Sequence, residues 1–205
     1  MEKITSFKEY TNLAIKTLKK LPTEQQNKFH MYSGMQTELG ELLDPIKKHV
    51  AYDAELDFVN LKEEIGDFCW YVACNIHLGS EIEEVKNRHL HLVDRTIKAS
   101  LMDINRSIPK WPLKEKSWKK NKQERQKDEV LLFLTNMTNS LRYDSTDIHL
   151  MIMVCKMFKF DFFEVLSINI EKLQKRYGEK FSEEKANKRD LKEERKTLES
   201  KEDKQ

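Results

Sequence analysis

Two acidic pairs of identical spacing, Glu38 with Glu41 and Glu64 with Asp67, constrain this chain more than any other feature. Each lies in a stretch whose apolar residues recur at helical intervals, Leu39, Leu42 and Leu43 around the first and Ile65, Phe68, Trp70 and Tyr71 around the second. Residues three apart on a helix lie about one turn apart on nearly the same face, so each helix points two carboxylates the same way. Two such helices packed antiparallel bring four carboxylates together, an arrangement that is stable only if cations occupy the gap. Hard oxygen ligands of this kind favour Mg²⁺ or Mn²⁺. A single acidic pair is common in a chain with 35 acidic residues, where a solvated helix face accounts for it. These two are set apart by their apolar neighbours and by Gly40 and Gly66, which sit inside the pairs. Glycine costs roughly 1 kcal/mol in a helix relative to alanine, so its presence at both places predicts that something approaches closely there.

The remainder of the chain reads as more helix. Only five glycines and four prolines in 205 residues fit long helices with few tight turns, and the fold class expected is all-α. Ser6 with Glu9 three later reads as the cap of a first helix that ends near Leu21 and Pro22. A second helix covers 24–50, with Pro45 expected to kink or break it, and a third covers 56–78 and stops at Gly79. A charged helix follows over 80–107, then a break at 108–113, then helices over 128–141, 145–159 and 162–177. The stretch 145–159 is strongly apolar and is expected in the core or at a subunit interface. Residues 1–190 read as one domain, with 191–205 a charged tail forming a loose helix or none.

The charge balance narrows the function classes. With 37 basic and 35 acidic residues the net charge is +2, so no global field argues for nucleic acid or membrane. Locally, 110–127 holds eight basic residues against two acidic ones, with Trp111 and Trp118 interleaved. That composition suits phosphate contact and base stacking, and equally a solvated linker whose tryptophans cover the core. No run approaches a membrane span, and the first residues lack the apolar segment of a signal peptide. Cys69, Cys74 and Cys155 have no paired spacing and read as buried, reduced thiols of a cytoplasmic protein. There is no Gly-x-x-x-x-Gly-Lys loop, and His89 and His91 diverge on a helix, which makes a poor zinc pair.

Glu38, Glu41, Glu64 and Asp67, in the contexts Glu41-Leu-Leu-Asp and Asn60-Leu-Lys-Glu-Glu-Ile-Gly-Asp, resemble the Glu-x-x-Glu, spacer, Glu-x-x-Asp motif of the MazG-like, all-α nucleoside triphosphate pyrophosphohydrolases. A second block, 169–190, looks like the closing helix of that family and its tail. The resemblance implies Mg²⁺-dependent hydrolysis of a nucleoside or deoxynucleoside triphosphate to the monophosphate and pyrophosphate. It implies Glu38, Glu41, Glu64 and Asp67 as metal ligands and catalytic residues, and Lys48, Asn169, Lys172, Lys175 and Arg176 as phosphate contacts. Lys172 and Arg176 are four apart and project together. It also implies a homo-oligomer, a dimer or tetramer of helical bundles.

One departure from that pattern is large. Asp67 and Asn169 are 102 positions apart, so about 80 residues, near 80–160, are inserted relative to the family. Sliding the chain by 80 positions sets Asp67 on Asp147, Glu84 on Glu164 and Val85 on Val165, the pattern of a decayed internal duplication as well as of a plain helical insertion. Two further functions stay open at this point: a catalytically inactive helical protein of the same fold that binds nucleotide or protein, and a nucleic-acid module built on 110–127.

Overall fold

In a computed structural model, the chain is described over residues 3–103, 120–143 and 145–178, and at 181, 182, 184, 195, 196 and 199. Among the described residues there are seven α-helices, two short 3₁₀ turns and no strand. The helices are α1 (Phe7–Ala14), α2 (Glu24–Tyr52), α3 (Phe58–Leu78), α4 (Glu83–Asp103), α5 (Lys120–Thr138), α6 (Ile148–Phe158) and α7 (Phe162–Tyr177). The all-α expectation holds. None of these helices is long and apolar enough to cross a membrane.

Helix starts follow the side chains that satisfy the free backbone N–H groups. Ser6 accepts from the Glu9 amide at 3.1 Å, Thr23 and Gln26 form a reciprocal capping box on α2, and Asp57 and Asp161 cap α3 and α7. α2 stops where Asp53 turns into the left-handed region at φ 52°, and five residues later α3 begins, so the two helices form an antiparallel hairpin. Pro45 lies inside α2 without breaking it. The proline cannot donate to the Glu41 carbonyl, but the turns on either side keep their own bonds and the helix carries through.

α1 is shorter than its apolar spacing predicts. The helix gives way at Ile15–Thr17 to a 3₁₀ turn, and the reason is tertiary. The Trp70 indole N–H points at the Ala14 carbonyl (3.1 Å) and the Thr17 hydroxyl (3.0 Å), and Thr17 itself donates to Ala14 at 2.8 Å. The carbonyl that would bond Leu18 in a continuing helix is thus already engaged, and the Leu18 amide turns to Ile15 instead. α5 shows the opposite difference, beginning at Lys120 rather than near 128. Of the basic stretch 110–127, residues 110–119, with Trp111 and Trp118, lie outside the described residues, as do Asp144 and most of the charged tail.

α3 is the central element, touching α1, α2, α4, α6 and α7. Leu61, Ile65, Phe68, Cys69, Val72, Ala73, Cys74 and Ile76 are all buried, the pattern of a helix surrounded on most sides. Cys69, Cys74 and Cys155 are buried and unpaired, and burial pushes each thiol above its ordinary pKa. α6 packs against α3 and α4, burying Ile148, Met151, Ile152, Val154, Met157 and Phe158 within the same chain. The apolar face that could have sought a partner subunit is therefore covered internally, by part of the segment 80–160 itself.

Two glycines of α2 differ sharply. A Cβ on Gly34 would collide with the Tyr71 ring, which packs into the space glycine leaves, whereas a Cβ on Gly40 would meet nothing within 4 Å. The close approach expected at Gly40 is thus not made by any described residue, because that position faces outward from the hairpin. Gly34→Ala should then destabilise by about 1–3 kcal/mol through overpacking, and Gly40→Ala should stabilise by up to about 1 kcal/mol through helix propensity. Urea unfolding of the two variants checks this, and equal shifts would contradict the packing described.

Candidate metal centre

The α2–α3 hairpin brings Glu38, Glu41 and Glu64 together. One carboxylate oxygen from each lies within 4.8 Å of the other two, close enough for all three to reach a single ion. Glu38 is half-buried, Glu41 exposed and Glu64 buried at 5% exposure, so the cluster runs from the hairpin seam out to solvent. Three hard oxygen donors with an open side suit Mg²⁺ or Mn²⁺, which keep several water ligands.

A proton eases the mutual repulsion within this cluster. Burial, then the Asp67 carboxylate, then hydrogen bonding and charge from Glu38 push the Glu64 carboxyl up to about 9. Burial and the charge of Asp67 raise Glu38 to about 7. Glu64 keeps its proton and donates it to Glu38, a shared-proton pair of the kind that forms when two carboxylates cannot both ionise.

Asp67, the fourth expected ligand, has a different partner. The Lys172 ammonium lies 2.6 Å and 2.5 Å from its two oxygens and 3.1 Å from Glu63. Lys172 is fully buried. Burial alone would lower its pKa, but Asp67 and Glu63 outweigh that and hold it above the ordinary value, so it remains a cation. Asn169 donates from Nδ2 to Asp67 at 2.6 Å. The Tyr10 hydroxyl lies 2.8 Å from Asn169 Oδ1 and 3.0 Å from the Gly66 carbonyl, one proton facing two acceptors. Here the close approach expected at a glycine does occur: a Cβ on Gly66 would fall 2.8 Å from that of Asn169.

The remaining residues expected to touch phosphate are spread more widely. Lys48 is exposed and pairs with Asp44 at 2.5 Å along α2. Lys175 is exposed on α7, and the half-buried Arg176 lies with its guanidinium 5.7 Å from the Tyr177 ring centre. Thus the two sequence blocks, separated by 102 positions, do meet, through Asn169 and Lys172 on Asp67. Glu63 and Tyr10 belong to the same network and were not anticipated. Glu63 carried a signal, standing four before Asp67 and so on its face of α3. Tyr10 carried none beyond being one apolar position of α1.

Comparison with protein-family models, with curated proteins and with solved structures finds no match to this chain.

The shared proton has a consequence for stability. A carboxyl whose pKa rises on folding binds its proton more tightly in the folded state, so its contribution is fully present below the unfolded value of about 4.5 and is lost as pH rises. The window runs upward from there through about 7 for Glu38 and about 9 for Glu64. In EDTA, the metal-free protein should lose stability across that range. Glu64→Gln, which cannot ionise, should gain on the parent as pH rises, and a urea-midpoint difference that stays flat or shrinks would contradict the shared proton.

Proposed function

We propose that this protein hydrolyses a nucleoside or deoxynucleoside triphosphate between the α and β phosphates, in the manner of the MazG-like all-α pyrophosphohydrolases whose motif it resembles. The observation that carries the reading is the convergence of Glu38, Glu41 and Glu64 from two antiparallel helices onto one point. That donor set fits a divalent cation and leaves one side open. A bound Mg²⁺ supplies charge neutralisation on the phosphate oxygens and a lowered pKa for a coordinated water.

The chain's own residues divide the work by position. Glu38, Glu41 and Glu64 hold the ion, and a glutamate of the set orients the attacking water. Water adds to the α-phosphorus and gives up a proton to that glutamate, the bond to the bridging oxygen breaks, and pyrophosphate leaves with its negative charge balanced by cations. Arg176, Lys175 and Lys48 are the proposed side chains that meet those phosphates from the solvent side, and a charged hydrogen bond of this kind contributes roughly 1.5–3 kcal/mol. Asn169 and Lys172 act from beneath, on Asp67.

One observation favours a second reading, a helical protein that binds nucleotide or another protein without turnover: Asp67 is already neutralised by Lys172. A single assay separates the two. Incubated with each canonical ribo- and deoxyribonucleoside triphosphate and Mg²⁺, the protein should release pyrophosphate from at least one. Glu41→Ala and Glu64→Ala should lower that rate by several orders of magnitude while circular dichroism stays helical. Mg²⁺-dependent nucleotide binding with no pyrophosphate from any of them would instead establish the binding protein.

A further inference from the structure

A buried ammonium is costly, and breaking a buried ion pair by removing one partner leaves an uncompensated charge. Lys172, at 0% exposure, therefore has to be read through its partners. Its three N–H donors face three carboxylate oxygens, both of Asp67 and one of Glu63. Asp67 is held in turn by Asn169, and Asn169 by Tyr10, with the bare backbone of Gly66 making the room. Three helices, α1, α3 and α7, thus combine to keep one lysine against one aspartate. The seat has the features of a cation site built from oxygen donors, except that the cation is covalently part of the chain.

We infer that Lys172 is a resident countercation standing where a second divalent ion would sit, so that the centre takes one divalent ion, on Glu38, Glu41 and Glu64, and Asp67 serves as the seat of Lys172 rather than as a metal ligand. This rests on the metal centre proposed above and deepens it. Glu63 and Asp67 lie four apart on α3, and with Glu64 they place three carboxylates on little more than one turn of helix. A fixed single charge neutralises part of that set in the absence of any ion, and its position does not depend on metal concentration. Lys172 is then a positioning residue. It fixes the orientation of Asp67, which stands three residues from Glu64 on α3.

The test uses the full chain and Mn²⁺ alone, with no nucleotide, so that it reads the ions and not turnover. Titration followed by calorimetry and by electron paramagnetic resonance should give one Mn²⁺ per chain. Asp67→Asn should keep that ion with affinity weakened on the order of tenfold, the effect of a neighbouring charge rather than of a lost ligand. Lys172→Met, which empties the seat while preserving bulk, should admit a second Mn²⁺, visible as a stoichiometry of two and as spin coupling between the ions.

Two ions in the parent, or loss of the only ion in Asp67→Asn, would overturn the inference and leave the pyrophosphohydrolase reading standing. So would a Lys172→Met protein that takes one ion with unchanged affinity. No ion in the parent would remove the metal centre on which both readings rest. Should Lys172→Met fail to fold by circular dichroism, the parent and Asp67→Asn decide the matter by themselves.

Discussion

Five carboxylates, those of Glu38, Glu41, Glu63, Glu64 and Asp67, crowd along one helix hairpin, and the structure depends on how their mutual repulsion is balanced. Two devices are visible. Glu38 and Glu64 share a proton, and Lys172 places a fixed ammonium between Asp67 and Glu63. The first is reversible and leaves Glu41 facing solvent. The second is permanent and ties α7 to α3 by the same interaction that neutralises charge.

That dual role explains how α3 can be both the central helix and the one carrying three of the acids. Its apolar residues contact α1, α4, α6 and α7, while Glu64, Asp67 and Glu63 line the side toward α2 and α7. A charged group on such a helix is tolerated only where a partner is delivered by another element. α7 delivers Lys172 and Asn169, and α1 delivers Tyr10. The segment 80–160 contributes nothing to this network among the described residues, although α6 buries an apolar face against α3 and so supports the helix from the opposite side.

Much of this was legible from local spacing. Acids three apart, on stretches with helical apolar periodicity, had to point the same way, and the cap read at Ser6 begins α1 where the side-chain chemistry requires. What was not legible was the division of labour among the acids. Nothing in Glu64-Ile-Gly-Asp67 distinguishes the carboxylate that joins Glu38 and Glu41 from the one that takes a lysine. The two glycines read alike for the same reason, since only the placement of Asn169 against Gly66 and open space at Gly40 separates them.

The sequence by itself determined that the described elements are helices, that two of them carry paired acids on one face, and that the thiols lie in apolar surroundings. These follow from interactions between residues a few positions apart, which the helix geometry sets in advance. Only the tertiary structure decided that Trp70 ends α1 early, that α6 is covered within the chain, and that Asp67 faces Lys172 while Glu64 faces Glu38. Each of those depends on which elements pack side by side, and that is set by the burial of apolar faces across separations of as many as 105 residues, where local spacing carries no information.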